Sequence, residues 1–208
     1  MPVSHSKHSA PMHYGRRARL AAFSLVASFA LVAPAWAVIQ ALIPLQSLID
    51  DSEQIVLLEV ERVDPDRPSM TLRLKEEWKG TAGFEQLPVN LTGDKEKHTP
   101  KLLKRVAPRT PVIAFIRKQD KRSQMMLAFT NGTWFQVMAT TDGKTTRWGF
   151  THCEIYLRRT FRGTTEELQT VVKDVLAGKR KAPSPDTRAM AGFGPEIEAE
   201  AKAKDASK

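Results

Sequence analysis

Apolar and polar side chains alternate along most of the middle of this chain, and the period changes only near its end. In "EQIVLLEVERVDPDRPSMTLRLKEEWKG", Val56, Leu58 and Val60 share one face, while Glu59 and Glu61 lie on the other beside Ile55 and Leu57. Leu72, Leu74 and Trp78 then alternate with Arg73, Lys75 and Glu77. Period two predicts a pair of half-buried strands, and "DPDRPS" supplies the turn between them. "QLPVNLT" predicts a third strand, with Leu87, Val89 and Leu91 on one side. "HTPKLLKRV" suits a short helix with Thr99 as N-cap and Pro100 at the first helical position. "PVIAFIRK" is apolar throughout, as expected of a strand covered on both faces. "SQMMLAFT" and "TWFQVMAT" flank Asn131-Gly132, a hairpin signal because both central residues of a type I′ turn need positive φ. Asp142-Gly143 repeats that signal before "TRWGF", and "FTHCEIYLRRTF" (150–161) reads as the last strand, with Cys153, Ile155 and Leu157 on its inward face.

The period then lengthens. In "GTTEELQTVVKDVLAGKRK", Leu168, Val171, Val172, Val175 and Leu176 form the stripe of an amphipathic helix over 164–177. Thr164 and Glu167 make a capping box, and Gly178 ends the helix. Ahead of the strands, residues 38–52 form an apolar lead-in, either a short helix or an irregular strand. From 179 to 208 the chain turns to Pro, Ala, Lys and Glu, the composition of a disordered tail. About eight short strands and one terminal helix predict a mainly β fold over 53–178. It is either a small antiparallel barrel, OB-like, or a sandwich, with the C-terminal helix packed against it.

The first 37 residues change what charge and histidine counts mean. Lys7, Arg16, Arg17 and Arg19 precede the apolar run "LAAFSLVASFALVAP" and a small-x-small site, "AWA". That order is the pattern of a secretory signal peptide, residues 1–37, cleaved after Ala37. The run is shorter than the roughly 20 residues that span a bilayer, so no stable transmembrane anchor is expected after cleavage. Export to the periplasm or beyond follows. Without this segment the formal charge of +9 falls to +5, from 28 basic and 23 acidic side chains. That balance does not by itself imply a specific nucleic-acid partner. Of five histidines only His98 and His152 remain, and the one cysteine, Cys153, leaves no internal disulfide.

The stretch "IVLLEVERVDPDRPSMTLRLKEEWKG" resembles the first two strands of exported bacterial domains of the OB-fold, TIMP/netrin-like kind, over about residues 53–117. The whole chain is similar to uncharacterised exported proteins of the planctomycete type. The resemblance implies a barrel and an extracytoplasmic address. True TIMP-type inhibitors use an N-terminal cysteine and several disulfides. This chain begins its mature part at Val38 with one cysteine, so inhibition of metalloproteases by that mechanism is not implied.

Three constellations carry candidate chemistry. A thiol or metal activity would centre on Cys153 with His98 and His152. Yet His152 is the sequence neighbour of Cys153, which on a strand places it on the other face, and free cysteine is commonly a small buried apolar group. Standard zinc and catalytic motifs such as HExxH, CxxC and GxSxG do not occur. Basic residues gather in Lys101, Lys104 and Arg105, with Arg109, and again in Arg158, Arg159 and Arg162. Converging, they would hold phosphate, sulfate or carboxylate groups through guanidinium forks. Separate, they are a solvated surface. A further set, Arg117, Lys118, Lys121 and Arg122, brackets a predicted turn. Trp134, Phe135 and Trp148 either line a chain-binding groove or fill a small barrel. Met125, Met126 and Met138 suit gap filling better than a copper site, which needs converging sulfurs and histidines. The reading that results is an exported, non-enzymatic binding protein with no cofactor or metal, whose partner is a protein or a polyanion. The alternatives are the thiol- or metal-centred activity and a structural envelope component.

Overall fold

The computed structural model describes residues 42–187; the expected signal peptide and the last part of the expected tail lie outside the described residues. The lead-in becomes a helix, α1 (Leu45–Asp51), followed by β1 (Gln54–Asp64), β2 (Ser69–Lys79) and β3 (Gln86–Asn90). A short helix α2 (Thr99–Leu103) leads to a four-strand meander, β4 (Pro111–Lys118), β5 (Ser123–Thr130), β6 (Thr133–Asp142) and β7 (Thr145–Cys153). A 3₁₀ turn (Ile155–Arg159) and α3 (Thr165–Leu176) complete the described chain.

The seven strands close into a barrel in the order β1-β2-β3-β7-β6-β5-β4, so the barrel alternative is the one adopted and the sandwich is not. Six of the contacts around the ring are antiparallel and the seventh, β3 with β7, is parallel. The exception is obligatory. A closed ring with an odd number of strands cannot alternate direction throughout. The ring also holds two strands more than the five of the OB scheme.

Side-chain alternation on β4, β5 and β6 divides the apolar residues into two cores. Val112, Ala114, Ile116, Met126, Ala128, Phe135, Val137 and Ala139 point into the barrel, where they meet Val56, Leu58, Leu72, Val89 and Phe150. Ile113, Phe115, Met125, Leu127, Phe129 and Trp134 point outward. Leu45, Leu48 and Ile49 of α1, Leu157 of the 3₁₀ turn, and Leu168, Val171 and Val172 of α3 cover them. The apolar run of β4 is therefore explained by burial on both faces. Trp134 lies 4.9 Å from Phe129 and 5.8 Å from Phe115, ring centre to ring centre, and its indole N–H donates to the Phe161 carbonyl at 3.3 Å. The groove reading of the aromatics does not hold. Trp134 fills the outer core, and Phe135 and Trp148 fill the inner one.

Turn and cap chemistry fix the register. Asn131 (φ 44°) and Gly132 (φ 71°) join paired Thr130 and Thr133, a type I′ turn as predicted. The next hairpin is shifted by one residue. Asp142 pairs with Thr145, so Gly143 and Lys144 are central, and the positive φ of Gly143 alone (59°) makes the turn type II′. Thr164 and Glu167 form the capping box of α3, with the Thr164 hydroxyl accepting from the Glu167 N–H at 3.1 Å. At the other end the N–H groups of Gly178 and Lys179 donate to the carbonyls of Val175 and Asp174, a Schellman stop.

Three sequence expectations are corrected. The last strand ends at Cys153, which faces Phe135: Glu154 N–H still donates to the Trp134 carbonyl, but the chain then coils into the 3₁₀ turn, with Leu157 N–H donating to the Glu154 carbonyl at 3.3 Å. Ile155 is then 36% exposed, while Leu157 is buried in the outer core. Secondly, His98 rather than Thr99 is the N-cap of α2, and it makes no side-chain cap. The Thr99 hydroxyl is turned back to the Leu91 carbonyl at 2.9 Å, and the Asp94 carboxylate receives the Thr99 N–H instead. Thirdly, residues 181–187 are tied to the barrel. Ala182 packs on the outer core and donates its N–H to Gln46 at 3.3 Å, and Asp186 exchanges main-chain contacts with Arg159.

Truncation of a fully buried barrel residue should be severe. Phe135→Ala is expected to lose about 3–5 kcal/mol, and Thr164→Ala about 1 kcal/mol through the lost cap, both read as the shift in urea midpoint at constant slope.

Candidate functional site

The region around Cys153 is built by a bulge and a plug. In β7, Phe150 faces Val137 and His152 faces Gln136, so Thr151 is the extra residue. The bulge lets both Phe150 and Cys153 point into the barrel although they are three apart. α2 sits at this end, with Leu102 and Val106 reaching the same core. Cys153 is 5% exposed, and burial pushes its thiol up to about 12. A thiol so held stays protonated at neutral pH and is a poor nucleophile.

The two histidines do approach this residue, but through its backbone and neighbour. His98 Nδ1 accepts the Cys153 N–H at 3.1 Å, and its Nε2 faces Glu96 at 3.8 Å. His152 Nε2 lies 2.6 Å from Glu154 Oε1. Their titrations are pushed apart. Burial first, then the charge of Lys101, lowers His98; the bond to Glu154, despite burial, raises His152. Glu154 and Asp94 complete the group, with Glu154 Oε2 and Asp94 Oδ1 buried and unpartnered. Among the described residues no group of three or more His, Cys, Asp or Glu side chains is arranged to hold a metal ion. The cluster is suited to holding protons. Met125 and Met138 are cross-strand partners in the outer core while Met126 faces the inner one, so at most two of the three sulfurs share a side.

Glu154 and Asp94 were missed by the sequence reading. A signal existed for Glu154, because it lies two residues after His152, the spacing that places neighbours on one face of an extended segment. Asp94 carried none, since its role depends on the path of the β3–α2 connection.

The predicted cations divide into three settings. Lys101 on α2 and Lys104 at its C-cap are exposed and, with Arg105, form no ion pair among the described residues; the Arg105 carbonyl accepts from the Asn131 side chain at the β5–β6 turn. Arg158 is 8% exposed, Arg159 Nε donates to the Asp186 carbonyl at 2.9 Å, and Arg162 lies 3.8 Å from the Asp186 carboxylate. These arginines follow β7, and Arg159 and Arg162 engage Asp186 of the 181–187 segment. Arg117, Lys118, Lys121 and Arg122 lie at the other end of β4, an eight-residue strand about 26 Å long at roughly 3.3 Å per residue. They do not converge with α2. Four basic residues on the barrel and on α3 are paired: Arg73 with Glu61, Lys75 with Glu59, Lys118 with Glu53 and Lys173 with Glu76.

Comparison with protein-family models and with curated proteins finds no match. No helix among the described residues is long and apolar enough to cross a membrane.

Two outcomes follow from the cluster. In the folded protein Cys153 should be inert to a chromogenic disulfide reagent at neutral pH and react fully once denatured. Stability should also peak near pH 6.5, the ordinary value from which the two rings depart in opposite directions. The raised His152 contributes stability that is complete below 6.5 and is lost as pH rises through its folded value. The lowered His98 acts oppositely, because below 6.5 the unfolded chain takes a proton that the folded chain resists. Thermal unfolding from about pH 5 to about pH 8 should show this maximum, and His152→Gln should flatten only its alkaline limb.

Proposed function

We propose that this chain is an exported, non-enzymatic binding domain that contacts anionic groups of a protein or polymer through the cationic face of α2. The observation that carries this reading is the clustering of unpaired cations at one barrel end. Lys101, Lys104 and Arg105 fall within five consecutive residues and have no carboxylate partner among the described residues, whereas Arg73, Lys75, Lys118 and Lys173 are each paired. Lys101 on α2, Lys104 at its C-cap and Arg105 in the turn that follows, the two lysines exposed, present a local positive field to phosphate, sulfate or carboxylate groups. Arg159 and Arg162 are directed to Asp186 and Arg158 is buried, so these three do not offer open forks.

Two features favour binding over the alternatives. The thiol on which a cysteine-centred activity would depend is buried with its pKa raised to about 12. Ring closure gives every strand a neighbour on each side, with the two-pair β3–β7 contact as its shortest seam, which disfavours the strand-by-strand self-association of an envelope-building component. Export itself rests on the signal-like pattern of residues 1–37, and the OB-type relationship on residues 53–117.

Retention on a heparin column tests the anion-binding reading. Lys101→Ala, Lys104→Ala and Arg105→Ala combined should elute at clearly lower salt than the parent. Arg117→Ala, Lys121→Ala and Arg122→Ala combined remove the same charge from the other barrel end and should lower the elution salt less. Equal retention of the parent and the α2 variant would refute the assignment to α2.

A further inference from the structure

α2 is held to the barrel by a hydrogen bond with only one workable protonation state. The Cys153 amide N–H donates to His98 Nδ1 at 3.1 Å, joining the residue before α2 to the last residue of β7. Acceptance at Nδ1 requires its lone pair, so His98 is the neutral ring with its proton on Nε2. A second proton would have to go onto Nδ1, setting one N–H against another. We propose that this bond is an acid-released latch: protonation of His98 breaks its tie to Cys153, turns the ring toward Glu96, and loosens the first turn of the helix that plugs this end of the barrel.

The groups facing His98 bias the latch without replacing it. On α2 Lys101 opposes protonation, as does His152 on β7; Asp94 and Glu96, on the connection before α2, favour it. Glu154 holds the proton on His152, so His152 charges first and its charge then resists that of His98. Release therefore falls below pH 6.5, the ordinary histidine value. The charged ring has a destination, since Glu96 Oε2 already lies 3.8 Å from Nε2. What remains attached limits the opening. Thr99 keeps its bonds to Leu91 and Asp94, and Leu102 keeps its place in the core. The event is a local loosening of α2 rather than an unfolding of the barrel. Where α2 carries the anion-contacting face, a consequence that rests on the proposed function, acid would reposition Lys101, Lys104 and Arg105.

The test is nuclear magnetic resonance of the ¹⁵N-labelled full chain, following the ring nitrogens of His98 and the exchange of the Cys153 amide between about pH 7 and about pH 5. His98→Asn retains an acceptor oxygen near the position of Nδ1 and cannot titrate. In the parent the neutral ring should show the Nε2–H form. The Cys153 amide, corrected for intrinsic exchange, should lose roughly tenfold of its protection as His98 titrates; in His98→Asn it should not. An Nδ1–H ring at neutral pH, protection that stays level through the titration, or an equal loss in His98→Asn would each overturn the latch. The ring-nitrogen measurement is made on the parent and decides even where the variant folds poorly. Heparin retention at neutral pH reads the anion face separately, so either idea can fall while the other stands.

Discussion

The structure depends on strands β4, β5 and β6 being apolar on both faces. Such strands cannot lie at the surface of a simple barrel. Inward side chains such as Val112, Ala114 and Phe135 close the interior, and the outward set, Ile113, Phe115, Phe129 and Trp134, needs its own cover. α1, the 3₁₀ turn and α3 provide it, which is why elements from both ends of the described chain meet on one side of the ring. The opposite wall, made by β2 and β3, carries its charges outward in ion pairs such as Arg73 with Glu61 and Lys75 with Glu59. The barrel thus has a covered side and a wet side, and the ends between them are where polar chemistry can gather.

At one end α2 closes the interior, and the chemistry near it follows from that task. A helix of five residues contributes little stability of its own. It is anchored by Leu102 in the core, by the Asp94 carboxylate at Thr99, and by His98 against the Cys153 backbone. The histidines therefore serve as protonatable struts between a short plug and a strand end. The thiol beside them is part of the filling. Burial accounts for both facts about Cys153, its apolar neighbours and its raised pKa.

Much of this was legible along the chain because it is local. The hairpin of β1 and β2, the doubly buried β4, the Asn131-Gly132 turn and the capping box of α3 all follow from neighbours a few residues apart. The errors are instructive for the same reason. Ile155 and Leu157 continue the alternation of β7, but the chain leaves the ladder after Cys153 and coils into the 3₁₀ turn that puts Leu157 in the outer core. Thr99 has the chemistry of an N-cap, yet Leu91 and Asp94 are close enough to claim its hydroxyl. Composition suggested a tail from residue 179, but Gln46 and Arg159 hold residues 182 and 186.

By itself the sequence determined the elements and the faces they bury, since helix and strand periods, turn residues and caps are properties of consecutive residues. It also set which chemistry was available: one thiol, two histidines beyond the signal-like segment and scattered cations. Only the tertiary structure decided which of these groups meet. Ring closure with an odd number of strands forced the parallel β3–β7 contact, and the bulge at Thr151 turned Cys153 inward while leaving its N–H to His98, 55 residues earlier in the chain. The same closure separated the cations at α2 from those beyond β4 and brought others, such as Arg73 and Lys75, beside carboxylates. Contacts between distant segments depend on strand order and register, and no local pattern encodes either.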